Sequence, residues 1–176
     1  LDILISNAGI FPASYTLDNM DSKTWRQSMD LNLNSHQSIL QACLPYLRQG
    51  IDPAIIFMAS KNVPAPGKGA AAYSVAKAGL TQLARIAALE LAADNIRVNV
   101  LHPHGVFDTA LWTPEILASR AQHYGMTVEE YKTNNLLKTE ITTKDVAKLA
   151  AALASPLFSK ITGLQLPIDG GNDRVI

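Results

Sequence analysis

Short unbroken apolar runs alternate with long stretches of helical periodicity, and this alternation predicts an α/β fold on a parallel sheet covered by helices on both faces. Two observations carry the prediction. The runs at 1–6, 54–59 and 96–101 lack the polar–apolar alternation of half-exposed strands and read as strands buried on both sides. Between them lie segments long enough to form crossover helices, which makes each step a βαβ unit with a right-handed connection. The resulting order is β-α-β-α-β, an irregular excursion, then α-β. That is the second half of a doubly wound parallel sheet. With 176 residues, 48% of them hydrophobic, the chain can bury one ordinary core, and 1–176 is read as a single domain segment.

Residues 1–6 form the first strand, closed by the turn Asn7-Ala8-Gly9, and the sheet interior is its expected place. From 21 to 49, Trp25, Met29, Leu31, Leu33, Ile39, Leu40, Cys43, Leu44 and Leu47 recur at roughly helical spacing, with Asp21 placed to cap the start and Gly50 to close the end. Asn32 lies inside this helix, where its amide competes for backbone hydrogen bonds and propensity offers no reason for it. The second strand, 54–59, leads through a Pro- and Gly-broken loop into an Ala-rich helix at 71–93. That helix carries Val75, Ala76, Gly79, Leu80, Leu83, Ala87 and Leu91 on one broad side. The third strand, 96–101, ends at His102-Pro103-His104-Gly105. Residues 106–142 are irregular, with short helical pieces at 115–123 and 128–137 and the aromatics Trp112, Tyr124 and Tyr131 expected on the surface. Such an excursion from a compact sheet is expected to cover a site, as a substrate lid. A helix at 143–154, capped by Thr142 or Thr143, and a strand at 162–168 complete the order, and Asp169-Gly170-Gly171 turns after it.

Charge and composition exclude several classes of function. Lys and Arg number 15 and Asp and Glu 15, so no global field favours nucleic acid. The single cysteine, Cys43, rules out a disulfide within the chain and fits a reducing compartment, and no apolar run reaches membrane-spanning length. A cytoplasmic protein with no nucleic-acid or membrane partner is the expectation. His36 and His123 have no metal-ligand spacing with each other or with Cys43, so no metal site is expected.

The stretch from Ser60 to Lys77 holds the chemistry. Tyr73 and Lys77, four apart, share one face of the Ala-rich helix, and a serine leaves the preceding strand end. An ammonium beside a phenol favours phenolate, and a nearby hydroxyl can hold a substrate oxygen. Together they outline a proton-transfer site.

Taken with Asn7-Ala8-Gly9 after a strand, Asn32 in the following helix, Asn99 in the third strand and Asp169-Gly170-Gly171 at the end, Ser60, Tyr73 and Lys77 fall in an order that resembles the short-chain dehydrogenase/reductase superfamily over nearly the whole chain. The resemblance implies a Rossmann-like fold, an NAD or NADP cofactor and an oxidoreductase that moves hydride between nicotinamide and a small carbonyl/alcohol substrate. It also implies a homodimer or homotetramer assembled through the helices at 21–49 and 71–93. By the same resemblance Tyr73 is the general acid/base, and Lys77 lowers its pKa and bonds the nicotinamide ribose. Ser60 holds the substrate oxygen, and Asn32 shapes its helix and holds a water linking Lys77 to solvent. Asn7, Ala8 and Gly9 line the cofactor, and Pro103, Gly105, Val106 and Thr109 contact it from the loop after the third strand.

There are departures from the family pattern. His102-Pro103-His104-Gly105 stands where Asn-Pro-Gly is usual, which shifts the loop register by a residue, and Ser6 replaces a common second asparagine with little expected effect. Lys61 is expected to be solvated or to meet an anionic substrate. The Gly-rich strand-turn-helix that opens the family's fold is not in the sequence, so the stretch reads as the catalytic half, either a segment of a longer protein or a fragment that binds cofactor poorly. Ala110-Leu111-Trp112, the segment 120–126 and Leu136-Leu137-Lys138 resemble the C-terminal dehydrogenase part of bifunctional aldolase/short-chain dehydrogenases, which implies a small hydroxylated aldehyde, ketone or sugar-derived substrate. Two other readings stand beside the oxidoreductase: an epimerase or dehydratase using transient oxidation, and a truncated domain without catalysis.

Overall fold

Strands β1 (Ile3–Ser6), β2 (Ala54–Met58), β3 (Arg97–Pro103) and β4 (Gln165–Ile168) lie in chain order in one wholly parallel sheet. The computed structural model describes residues 1–171. All 5 residues of β2 are buried, as its unbroken apolar sequence requires. Ile55 and Phe57 point to one face, where they join Leu40, Leu47, Leu80, Ala84, Val98 and Val100 in a core under α2 (Ser35–Leu47) and α3 (Ala71–Glu90). Ala54, Ile56 and Met58 point to the other, against Leu101 and the Ala150, Leu153 and Ala154 side of α6 (Thr143–Ala154). The sheet advances in one direction while α6 crosses the face opposite α2 and α3. The last crossover is therefore opposite in hand to the first two.

β1 departs from its expected place in the sheet interior: among the described residues it pairs only with β2. Register puts Ile3 and Ile5 on the α6 face, opposite Ala54 and Ile56, but α6 packs over β2 and β3 and does not reach them. They remain 47% and 44% exposed.

The segment expected as one helix begins as α1 (Ser22–Met29), with Asp21 accepting from the Thr24 N–H at 2.8 Å. It continues without a break into α2, but through one wide turn of π-helix at Asp30–Asn34. α3 is a single helix whose small buried residues Ala72, Ala76, Ala84 and Ala87 let its backbone ride close to the sheet. Val75, expected on its packed side, is 45% exposed.

The excursion folds onto itself. α4 (Pro114–His123) and α5 (Val128–Lys132) are capped by Thr113 and Thr127. Phe107 packs on Trp112 at 4.9 Å and on Tyr131 at 5.5 Å, and Tyr131 stacks on Tyr124 at 5.8 Å. Trp112 and Tyr131 are thus half-buried instead of lying on the surface as expected, because they supply the excursion with a small core of its own. The helix expected at 128–137 stops at Lys132, where Asn135 turns the chain by bonding Thr139 in both directions. Asp108 ties the excursion to α6 through the N–H and hydroxyl of Thr143, and Leu136 and Leu137 donate to the carbonyls of Gly171 and Gly170.

Arg97 opens β3 with a buried guanidinium that caps the end of α6: it donates to the carbonyls of Leu153 at 2.8 Å and Ala154 at 3.0 Å. Asn99 donates to Ile161 O and accepts from Leu164 N, which sets the entry of β4. Replacing Arg97 with Met orphans the α6 carbonyls. The expected cost is about 2–4 kcal/mol in urea unfolding, and a loss below about 1 kcal/mol would show that the cap is dispensable.

Candidate active site

The parallel strands deliver three loops to one edge of the sheet: Asn7-Ala8-Gly9 after β1, Ser60 after β2 and His102-Pro103-His104-Gly105 at the end of β3. The π turn gathers the first of these. Asn32, fully buried, donates from its side-chain nitrogen to the Ser28 hydroxyl at 3.0 Å and accepts from the Ile10 N–H at 2.9 Å. A Cβ at Gly9 would lie 3.0 Å from Asn32 Oδ1 and 3.5 Å from Lys77 Nζ, so a side chain here would crowd the Asn32 amide and push it back by a few tenths of an ångström. The side-chain oxygen and nitrogen of Asn32 thus each bond a protein group.

Tyr73 and Lys77 leave the first turns of α3 on the face next to this knot. Lys77 is 3% exposed and donates to Met58 O at 2.8 Å, with its nitrogen 5.9 Å from the centre of the Tyr73 ring. Ser60 is buried, its carbonyl is held by His102 Nδ1 at 2.9 Å, and its hydroxyl accepts from the Asn62 N–H. Ser60 lies within hydrogen-bonding reach of the Tyr73 side chain.

Burial governs the protonation states. It pushes the Tyr73 phenol above its ordinary value, while the bond to Ser60 draws it back. The expectation that Lys77 lowers the phenol is not met: its ammonium is directed to the Met58 carbonyl, and burial lowers Lys77 itself to about 8. At neutral pH the site therefore holds a protonated phenol beside an ammonium.

The loop after β3 makes local contacts of its own. Gly105 has φ +62° with the Phe107 ring against it. Val106 pairs with Ile141, and the Thr109 hydroxyl donates to Val106 O at 3.2 Å. Pro103 ends β3 and accepts from the Lys61 N–H. Lys61, expected at the surface, is 2% exposed. Among the described residues no group of three or more His, Cys, Asp or Glu could hold a metal, and no helix is long and apolar enough to cross a membrane.

Four residues of this neighbourhood carry no motif. Ser28 and His36 sit one turn before and after Asn32, a spacing that points to them once Asn32 is chosen. The Ser6 substitution proves consequential, since its hydroxyl meets His36 Nδ1 at 2.6 Å in the interior. Burial first, and then the charge of Lys77, lower His36 to about 4. The fourth is Phe11, whose ring lies 4.8 Å from that of Tyr73.

Residues 1–173 match the family model described as Enoyl-(Acyl carrier protein) reductase. The chain belongs to the short-chain dehydrogenase/reductase family. Within the family it is 32% identical over 177 residues to the uncharacterized oxidoreductase YuxG of Bacillus subtilis, which covers 97% of this chain and 26% of YuxG. It is 31% identical over 177 residues to the 2,3-dihydro-2,3-dihydroxybenzoate dehydrogenase of Escherichia coli, covering 98% of this chain and 69% of that one. The solved structure of Pseudomonas aeruginosa RhlG in its NADP active-site complex matches at TM-score 0.80 and 31% identity, covering 97% of this chain and 66% of that one. The chain thus spans between 26% and 69% of the length of the curated family members it matches. The α/β Rossmann-like fold with a parallel sheet is shared with the solved members.

The two buried bases make stability pH-dependent with a definite sign. Between about 4 and 6.5 the unfolded chain protonates His36 and the folded chain does not, so stability falls as pH drops through that window. Between about 8 and 10.5 the same holds for Lys77, so stability rises with pH there. Each effect is worth roughly 3 kcal/mol. Urea unfolding across pH should show the acid limb flattened in His36→Gln and the alkaline rise flattened in Lys77→Met; unchanged limbs would mean that neither side chain is buried as described.

Proposed function

We propose that the chain is the catalytic half of an NAD(P)-dependent oxidoreductase that interconverts a small alcohol and its carbonyl, with Tyr73 as the general acid/base. The observation that carries this is the meeting of Tyr73, Lys77 and Ser60 at the sheet edge directly beside the exposed Asn7-Ala8-Gly9 turn.

The residues present fit a nicotinamide nucleotide. The turn after β1 is exposed and small, a Cβ at Gly9 would press on the Asn32 amide, and Lys77 spends one hydrogen bond on Met58 O while an ammonium has three to give. RhlG is solved with NADP and a Brucella reductase of this fold with NADH, which supports either nucleotide here. Asn7, Ala8 and Gly9 hold it from one side, Lys77 bonds its ribose, and Pro103, Gly105, Val106 and Thr109 border it from the β3 loop. Bound nicotinamide supplies or takes the hydride.

The protein's own part is to hold oxygen and move one proton. Ser60 donates a hydrogen bond to the substrate oxygen and orients it toward Tyr73. In reduction Tyr73 gives its phenolic proton to that oxygen as the hydride arrives, and Lys77 stabilises the phenolate left behind. In oxidation the phenolate takes the proton back. Desolvation keeps Tyr73 protonated at neutral pH, which suits proton donation. Asn32 acts through position, fixing the Gly9–Ile10 backbone against Lys77.

The rest of the reading extends beyond this stretch. The excursion at 106–142 covers the substrate. The protein works in the cytoplasm as a dimer or tetramer joined through α1–α2 and α3, on which Tyr46, Val75 and Leu89 are exposed. A further aldolase region, and with it a sugar-derived substrate, is favoured by the segments 110–112, 120–126 and 136–138.

In the dinucleotide-binding full-length protein, Tyr73→Phe should lower kcat by about 10²–10⁴-fold and Ser60→Ala by about 10²-fold. Nicotinamide absorbance follows turnover, and calorimetry should show nucleotide affinity held within about threefold. Unchanged kcat in Tyr73→Phe would remove the mechanism. Product formed without net nucleotide reduction or oxidation would point instead to an epimerase.

A further inference from the structure

The Asn7-Ala8-Gly9 turn is held at its two ends by two residues of one helix. At the exit the Ile10 N–H donates to Asn32 Oδ1 at 2.9 Å, and from there the chain runs as a strap to Tyr15, whose N–H donates to Gly69 O at 3.1 Å. At the entry the Ser6 hydroxyl meets His36 Nδ1 at 2.6 Å. Asn32 and His36 are four positions apart, where the π turn passes into α2, so both side chains leave one face of the helix.

The entry bond lies in the interior. Ser6 is 6% exposed and His36 1%, and the imidazole stands edge-on to Phe57 with centroids 6.3 Å apart. Burial keeps the ring neutral at neutral pH, and a neutral imidazole has one donor and one acceptor. With Nδ1 accepting from the Ser6 hydroxyl, the ring proton sits on Nε2, a buried atom with no partner at bonding distance among the described residues. The Ala8 backbone lies close enough to the ring to raise its proton affinity, as an acceptor carbonyl does. The turn itself has little to rest on: Asn7, Ala8 and Gly9 are exposed, and a cavity of about 250 Å³ bordered by Ser6, Asn7, Ala8 and His36 lies beside it. Hydrogen bonds at its ends, more than packing, hold its shape.

Resting on the oxidoreductase reading above, we propose that His36 is a positioning residue: through Ser6 it fixes the entry of the Asn7-Ala8-Gly9 turn, as Asn32 fixes the exit, and so presets the backbone that receives the nicotinamide nucleotide. Serine stands at position 6 where asparagine is common in the family, and its single hydroxyl is met by an imidazole reaching down from the helix. His36 takes no part in moving the proton. Its effect is on how much of the time the turn has the shape that binds, and affinity falls in proportion as that fraction falls.

The experiment uses the full-length protein and four variants: Ser6→Ala, His36→Leu, the two together, and His36→Gln, which keeps an acceptor for the Ser6 hydroxyl. Calorimetry with NAD and with NADP reads affinity, hydrogen exchange of the 7–10 amides in the nucleotide-free protein reads the turn, and urea unfolding reads global stability. Ser6→Ala and His36→Leu should each weaken nucleotide binding about tenfold and speed exchange at the turn. The double variant should bind no more weakly than the worse single one, since either change breaks the same bond, and His36→Gln should regain most of the affinity. If His36→Leu does not fold, Ser6→Ala and His36→Gln carry the test with the same readouts. Stability lost while affinity stays within about threefold and turn exchange stays at the parent rate, or affinity losses that multiply in the double variant, would overturn the proposal with the oxidoreductase reading intact. Faster turn exchange in the variants, with neither nucleotide bound by the parent protein, would sink the oxidoreductase reading and leave the clamp standing.

Discussion

The site depends on a side-chain amide inside a helix. Asn32 sits in the π-helical turn between α1 and α2, one nitrogen bond to Ser28 behind it and one oxygen bond to the Ile10 backbone ahead. The wide turn presents this amide to the loop after β1, and the absence of a Cβ at Gly9 lets that loop settle onto it. Once the loop is held there, Lys77 Nζ borders the space beside Gly9 that a Cβ would enter, and the strap to Gly69 runs past Tyr73. Loss of either Asn32 bond would leave a buried polar group unpaired at the centre of the cluster.

Low water content does more to set the protonation pattern than direct charge pairing. Lys77, His36 and Tyr73 all shift toward their neutral forms, and burial is the leading cause for each. A neutral phenol next to a buried ammonium is stable in such surroundings only because the ammonium is bonded to the Met58 carbonyl. His36 shares this interior with Lys77, and its neutral form keeps a second positive charge away from the site.

The sheet supports this arrangement asymmetrically. The face under α2 and α3 is covered along β1 to β3, while the opposite face is covered by α6 over β2 and β3 and left open at Ile3 and Ile5. Arg97 and Asn99 then pin α6 and the start of β4. The excursion, held by Asp108 to Thr143 and by Gly170 and Gly171 to Leu137 and Leu136, hangs from the same edge on which Ser60 and Tyr73 lie.

Local pattern alone determined the strands, their parallel direction, the helix starts at Asp21 and Thr142, and the placing of Tyr73 and Lys77 on one helix face. Each of these rests on short-range rules: unbroken apolar runs, capping residues, and the four-residue return of a helix face. What the tertiary structure decided depends on partners distant in sequence. Ser6 finds a role only because His36, thirty positions on, folds over it, and Phe11 meets Tyr73 only because the strap is fixed at Asn32 and Gly69. Lys77 turned from the phenol to the Met58 carbonyl for the same reason. Spacing gives its distance along one helix, whereas its bond and its proton affinity come from the strand beneath it and the exclusion of water, neither of which a one-dimensional pattern contains.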